Sequence, residues 1–127
     1  MEIPCKSIEI PGDINGIGSD SHRGLLAFLG YSGAADGPGV GLRRKILQDV
    51  FCAELVPLTD QNRSYILEFG PPGSKKRFDK ILNYLQGRIR DVERYNSQAW
   101  LDVLRRYEED HDWFVLTIGP KVGVQGI

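Results

Sequence analysis

The strongest constraint on this chain lies between residues 78 and 114, where apolar side chains recur at helical spacing in two consecutive runs. Phe78, Ile81, Leu82, Leu85, Ile89 and Val92 return at three- and four-residue steps, while Lys80, Asn83, Gln86, Arg90 and Glu93 fall on the other side. A pattern of this kind gives a helix one face that has to be buried. Asn96-Ser97 then interrupts it, and either residue can cap a second helix. Trp100, Leu101, Leu104, Tyr107, His111 and Phe114 form the second run. Two such helices on so short a link bury their faces against each other, so the spacing predicts an antiparallel helical hairpin.

The upstream half carries weaker patterns. Leu42, Ile46, Leu47 and Val50 share a face with Phe51 beside it, and Pro57 stops that helix. Leu25, Leu26 and Leu29 form a shorter helix, capped from Ser19-Asp20-Ser21 and closed by Gly30. Residues 30–41 hold five glycines and read as a loop, and residues 58–73 read as a second loop with a short apolar stretch at 65–69. Lys6 to Ile10 alternates like a strand, and Pro11-Gly12-Asp13 turns the chain after it. Phe114 to Ile118 is apolar and β-branched, and Val122-Gly-Val124 resumes an alternation. That tail is either a strand paired with residues 6–10 or a disordered end. The expectation is one domain over 1–127, mainly α, with about four helices, the C-terminal hairpin and a short terminal β-strand pair. Segments 1–20 and 115–127 are strand or flexible in this reading.

Bulk properties exclude several classes. A chain of 127 residues with 41% hydrophobic and 26% charged side chains can build a real core and is neither disordered nor fibrous. Its longest uncharged apolar run falls far short of the roughly 18 residues that a membrane span needs, so no membrane association is expected. MEIPCKSIEI has no long apolar core of a signal peptide. Cys5 and Cys52 make no disulfide scaffold at this size, and Cys52 lies inside an apolar helical pattern, which suits a buried reduced thiol. A cytoplasmic location is the expectation from that reading.

The net charge is −1, so the whole molecule does not attract polyanions, but its charge is unevenly spread. Arg43, Arg44 and Lys45 open one helix; Lys75, Lys76, Arg77 and Lys80 open another; residues 107–112, YEEDHD, reverse the sign. Cations at a helix start oppose the helix dipole and call for an anion or an acidic neighbour. With Ser74 as a cap, these two helix entries are the candidate anion- or nucleic-acid-binding residues.

GPPGSKKR, residues 70–77, resembles the phosphate loop of AAA-type ATPases over about seven residues. A phosphate loop needs glycine before its lysine and a hydroxyl after it. Lys75 and Arg77 occupy those positions, so we read the stretch as a helix entry: Pro71-Pro72 stiffens, Gly73 turns and Ser74 caps. Gly37-Pro-Gly39-Val-Gly41 lacks the third glycine of a dinucleotide fingerprint, since Leu42 stands there. His22 and His111 with Cys5 and Cys52 match no zinc spacing. Glu108, Glu109, Asp110 and Asp112 read as an acidic helix end offset by Arg or Lys from a neighbouring helix. Trp100 reads as a core residue and Trp113 as an edge residue. Tyr84, Arg88, Arg94 and Tyr95 lie along one helix flank and suit an interface or base stacking.

LGYSG, then GLRRKILQDVF, then SYILEFGPPGSKKRFDKILNYL and a W-x-x-x-L-x-x-Y-E-x-D helix are together similar to a helical module of uncharacterised bacterial proteins, over roughly residues 25 to 114. The resemblance implies a helical fold and carries over no functional residue. The functional expectation is a non-enzymatic accessory module of a bacterial protein assembly, with a protein partner, no cofactor and no metal. The alternative is nucleic-acid or phosphate binding through the basic helix entries, and a small nucleotide-dependent enzyme stands behind it.

Overall fold

A computed structural model describes residues 7–10, 24–95 and 97–124. The turn expected at residues 11–13, the cap at residues 19–21, His22, Cys5 and Asn96 lie outside the described residues. The chain is mainly α. In order it forms β1 (Ser7–Ile10), α1 (Leu25–Phe28), α2 (Val40–Cys52), β2 (Glu54–Pro57), a 3-10 turn (Asp60–Asn62), α3 (Arg63–Phe69), α4 (Lys75–Glu93), α5 (Gln98–Thr117) and a second 3-10 turn (Gly119–Val122).

The hairpin forms as its periodicity predicts. In α4, Phe78, Ile81, Leu85 and Val92 are buried, and Ser74 accepts the Arg77 amide N–H at 3.1 Å as its cap. Facing it, α5 buries Val103, Tyr107, Asp110 and Phe114. Phe78 and Phe114 stack with centroids 4.9 Å apart, and Phe51 of α2 meets Phe114 edge-on at 6.4 Å. Two of the residues expected on the inner face of α5 lie outside it: Trp100 and Leu101 are exposed. The buried stripe is set by the spacing 103, 107, 110, 114, which includes a carboxylate.

Three upstream expectations change. The stretch at 65–69 belongs to a helix, α3, because Tyr65 and Phe69 pack edge-on with centroids 5.1 Å apart and Phe69 is buried. Gly70 ends α3 at φ 70°, and a Cβ there would meet the Lys76 side chain at 2.8 Å. The tyrosine is also useful upstream: its hydroxyl accepts the Leu25 amide N–H at 2.8 Å, satisfying a free donor at the start of α1. Secondly, α2 ends at Cys52 rather than at Pro57, and Glu54–Pro57 is extended.

The third change concerns strand pairing. β1 runs parallel to β2, Ser7 opposite Glu54 and Ile10 opposite Pro57. Among the described residues the expected pair between residues 6–10 and the C-terminal tail does not form: residues 114–117 continue α5 despite their β-branched character. Phe114 and Ile118 stand four apart and are both fully buried, so the helical spacing serves the core and overrides local propensity.

Candidate functional site

The eight basic-entry residues do not form one surface. Arg43 is on the inner face of α2, in step with Ile46, Leu47 and Val50, and is 4% exposed. Its Nε donates to Asp110 Oδ2 at 2.7 Å and its Nη2 to Asp110 Oδ1 at 3.3 Å, a forked pair, while Nη1 donates to the Pro38 carbonyl at 3.1 Å. Asp110 is fully buried in α5 and also accepts the Tyr31 hydroxyl at 2.8 Å. Burial, followed by the nearby Asp110, drives the Tyr31 phenol far above its ordinary value. Around this pair Tyr31 meets the rings of Tyr84 and Tyr107, both with centroids 6.0 Å away. Burial also raises the Tyr84 phenol. Gly33 closes the cluster: a Cβ there would stand 2.8 Å from the Tyr107 ring.

Arg77 is 1% exposed and has carbonyls rather than a carboxylate for partners. Its Nη1 donates to Val50 O at 2.6 Å and Ala53 O at 2.8 Å, Nη2 to Gly70 O at 2.9 Å, and Nε to Phe69 O at 3.2 Å. One guanidinium thus satisfies the orphan carbonyls at the ends of both α2 and α3. Burial pulls its pKa down to about 10, which leaves it charged at neutral pH. This capping explains why α2 stops where it does and lets the chain turn into β2.

Three lysines make surface ion pairs: Lys45 with Asp49 at 2.8 Å, Lys75 with Asp79 at 2.8 Å and Lys80 with Glu68 at 2.7 Å. Lys80 also lies over the rings of Tyr65 and Phe69. Arg44 covers the Trp113 ring at 5.4 Å, and its Nε is buried without a hydrogen-bond partner. Lys76 is exposed and drapes its stem over Gly70. The Ser74 hydroxyl is already engaged by the Arg77 amide. The accessible cations are therefore Arg44, Lys45, Lys75, Lys76 and Lys80, spread over two helix entries.

Other expected groups fall as described next to their neighbours. His111 is partly exposed, and its Nδ1 lies 3.1 Å from Asp112 Oδ1. Among the described residues no group of three or more His, Cys, Asp or Glu side chains could hold a metal ion. No described helix is long and apolar enough to cross a membrane. Cys52 is disulfide-bonded, which corrects the reduced-thiol expectation.

The feature that helical spacing alone does not reveal is the tip of the hairpin. Residues 93–95 and 97–102 are all exposed. There Tyr95 and Trp100 stack with centroids 4.6 Å apart and ring planes 22° from parallel. Tyr95 is 55% exposed, Trp100 38% and Leu101 51%. Arg90 and Arg94 are exposed on the same end of α4. The signal is present in part, since Arg94 and Tyr95 stand out on the helix flank, but the spacing puts Trp100 in the core. No family model, curated protein or solved structure matches this chain.

Proposed function

We propose that this chain is a non-enzymatic accessory module that docks a protein partner of a larger assembly through the tip of the α4–α5 hairpin. One observation carries the reading: the stacked Tyr95–Trp100 pair, continued by Leu101, is exposed where α4 ends and α5 begins. Tyrosine and tryptophan are the side chains that most often anchor protein interfaces, because they bury a large area with few rotamers to freeze. Prior stacking fixes both rings before a partner arrives. We assign the module to a bacterium on the strength of the helical resemblance.

The alternative, nucleic-acid or phosphate binding, draws on Lys75, Lys76 and their neighbours at the α4 entry. Its weakness is that Arg43 and Arg77 are internal and three of the lysines already have acidic partners. A photo-crosslinking residue placed at Leu101, and separately at Lys76, compares the two surfaces in living cells. We expect a discrete protein adduct from position 101 that disappears when Trp100→Ala is added. Adducts from position 76 alone, removed by nuclease, would transfer the function to the basic entry.

A further inference from the structure

We propose that the partner is acidic where it meets the hairpin tip: its carboxylates pair with Arg90 and Arg94 while an apolar side chain lies on Tyr95 and Trp100. This rests on the docking role given to the tip above and adds the partner's chemistry. The first support is how charge is distributed. Four exposed cations elsewhere have acids beside them: Lys45 meets Asp49 at 2.8 Å, Arg63 meets Asp60 at 2.9 Å, Lys75 meets Asp79 at 2.8 Å and Arg105 meets Asp102 at 3.4 Å. Lys76 and Lys121 lie at the opposite end of the hairpin. Arg90 and Arg94 are exposed and have no acidic partner among the described residues. Asp91 is taken by Arg88 at 3.2 Å. Glu93 stands about 60° and 100° round the helix from the two arginines, off their face.

The second support is the arrangement on α4. Arg90 and Arg94 are four positions apart and share one face, with Cβ atoms about 6 Å from each other. The dipole at the end of α4 favours a cation there. Two at that spacing also repel each other, and an incoming carboxylate relieves the repulsion. α5 starts at Gln98 with no acid in its first turn, so its positive dipole end adds to the same sign. Gly87 continues the stripe, one turn before Arg90. A Cβ there would meet only Arg90 Nη2, at 3.9 Å. Packing among the described residues therefore does not call for glycine in the middle of α4, where it weakens the helix. Its effect is to leave that flank of the Arg90 guanidinium clear of any side chain at position 87.

These groups define what fits. A guanidinium offers a carboxylate paired N–H donors in a fork, where an ammonium offers a point charge. The ring faces of Tyr95 and Trp100 take an apolar or aromatic side chain. A partner segment with acids flanking such a side chain meets both requirements, and the charge match speeds encounter and rejects basic surfaces. Towards the start of α4, Asp79 and Glu68 neutralise Lys75 and Lys80. The free positive charge is thus local to the tip and does not run on as the groove that tracks a nucleic-acid backbone.

The test uses the full chain in living cells, with a photo-crosslinking residue at position 101. The adduct is digested and the crosslinked partner peptide is sequenced by mass spectrometry. We expect acids to outnumber bases around the point of attachment. Arg90→Glu/Arg94→Glu should cut the adduct yield about tenfold or more, and Arg90→Lys/Arg94→Lys should keep part of it. Should charge reversal unfold the chain, Arg90→Gln/Arg94→Gln, with its urea midpoint checked, takes its place and should still lose most of the adduct. An unchanged yield, or a neutral or basic crosslinked peptide, would overturn the acidic partner and leave docking at the tip standing. A peptide from a second copy of this chain, or an adduct removed by nuclease, would also overturn it. The absence of any adduct from position 101 would remove the docking role itself, and this proposal with it.

Discussion

Tyr31 shows how a single side chain links the loop after α1 to the centre of α5. Its hydroxyl donates to Asp110, which is held in turn by the Arg43 fork, so three distant segments meet at one carboxylate. Burial disfavours ionising this phenol, and a second negative charge beside Asp110 disfavours it further, so its folded-state pKa is raised. A folded-state pKa above the unfolded value of 10.0 gives stability that is complete below that pH and is lost as pH climbs above it. We therefore expect the urea midpoint to fall between about pH 9.5 and pH 11.5. Tyr31→Phe should flatten part of that fall while lowering stability at pH 8 by about 1 kcal/mol for the lost hydrogen bond. Parallel alkaline slopes in the two proteins would remove Tyr31 as their cause. Arg43 and Asp110 were half legible. Arg43 stands at helical spacing from Ile46, Leu47 and Val50, and Asp110 from Val103, Tyr107 and Phe114. An ionic residue on an apolar stripe signals a buried partner, but its identity, 67 positions away, is invisible to local pattern.

At the scale of elements, Arg77 is the junction. Its guanidinium ties the ends of α2 and α3 to the first turn of α4, so three helices meet at one side chain. Arg77→Met keeps the aliphatic volume and strands several buried carbonyls, each costing about 1–3 kcal/mol. We expect a loss of at least about 3 kcal/mol by urea unfolding, and little rescue by Arg77→Lys, whose single ammonium cannot span the same fork. A loss below about 1 kcal/mol would show that water replaces the guanidinium without harm. This junction also explains which elements could be read in advance. The α4 face was legible because Phe78, Ile81, Leu85 and Val92 repeat over most of a 19-residue helix. By contrast, α3 has 7 residues, too few for a period to emerge from Tyr65, Ile66 and Leu67. β2 was hidden because Glu54–Pro57 continues the apolar run of α2 and only a side chain 24 to 27 positions later cuts the helix off. The C-terminal residues looked like a strand because β-branching is a local trait, whereas the burial of Phe114 and Ile118 is decided by α4 and the second 3-10 turn.

Across the whole molecule, the positive charge divides between the interior and a surface where acids match much of it. The cations most deeply placed, Arg43 and Arg77, hold the fold together, and several outer ones are matched by acids. Exposed pairs of that sort add about 0–1 kcal/mol each, so the surface lysines set solubility more than architecture. At the hairpin tip Trp100 and Leu101 are exposed, whereas sequence pattern puts both in the core because they are in step with Leu104, and it puts Tyr95 on an outer flank. On the proposed docking role, stability and docking rest on separate residues, and equilibrium unfolding of the double variant Tyr95→Ser/Trp100→Ser tests that separation without knowing the partner. A docking surface predicts a urea midpoint close to that of the native chain, with a loss of about 1 kcal/mol or less. A loss above about 2 kcal/mol would contradict it, since the stacked rings would then be a clasp that closes the hairpin.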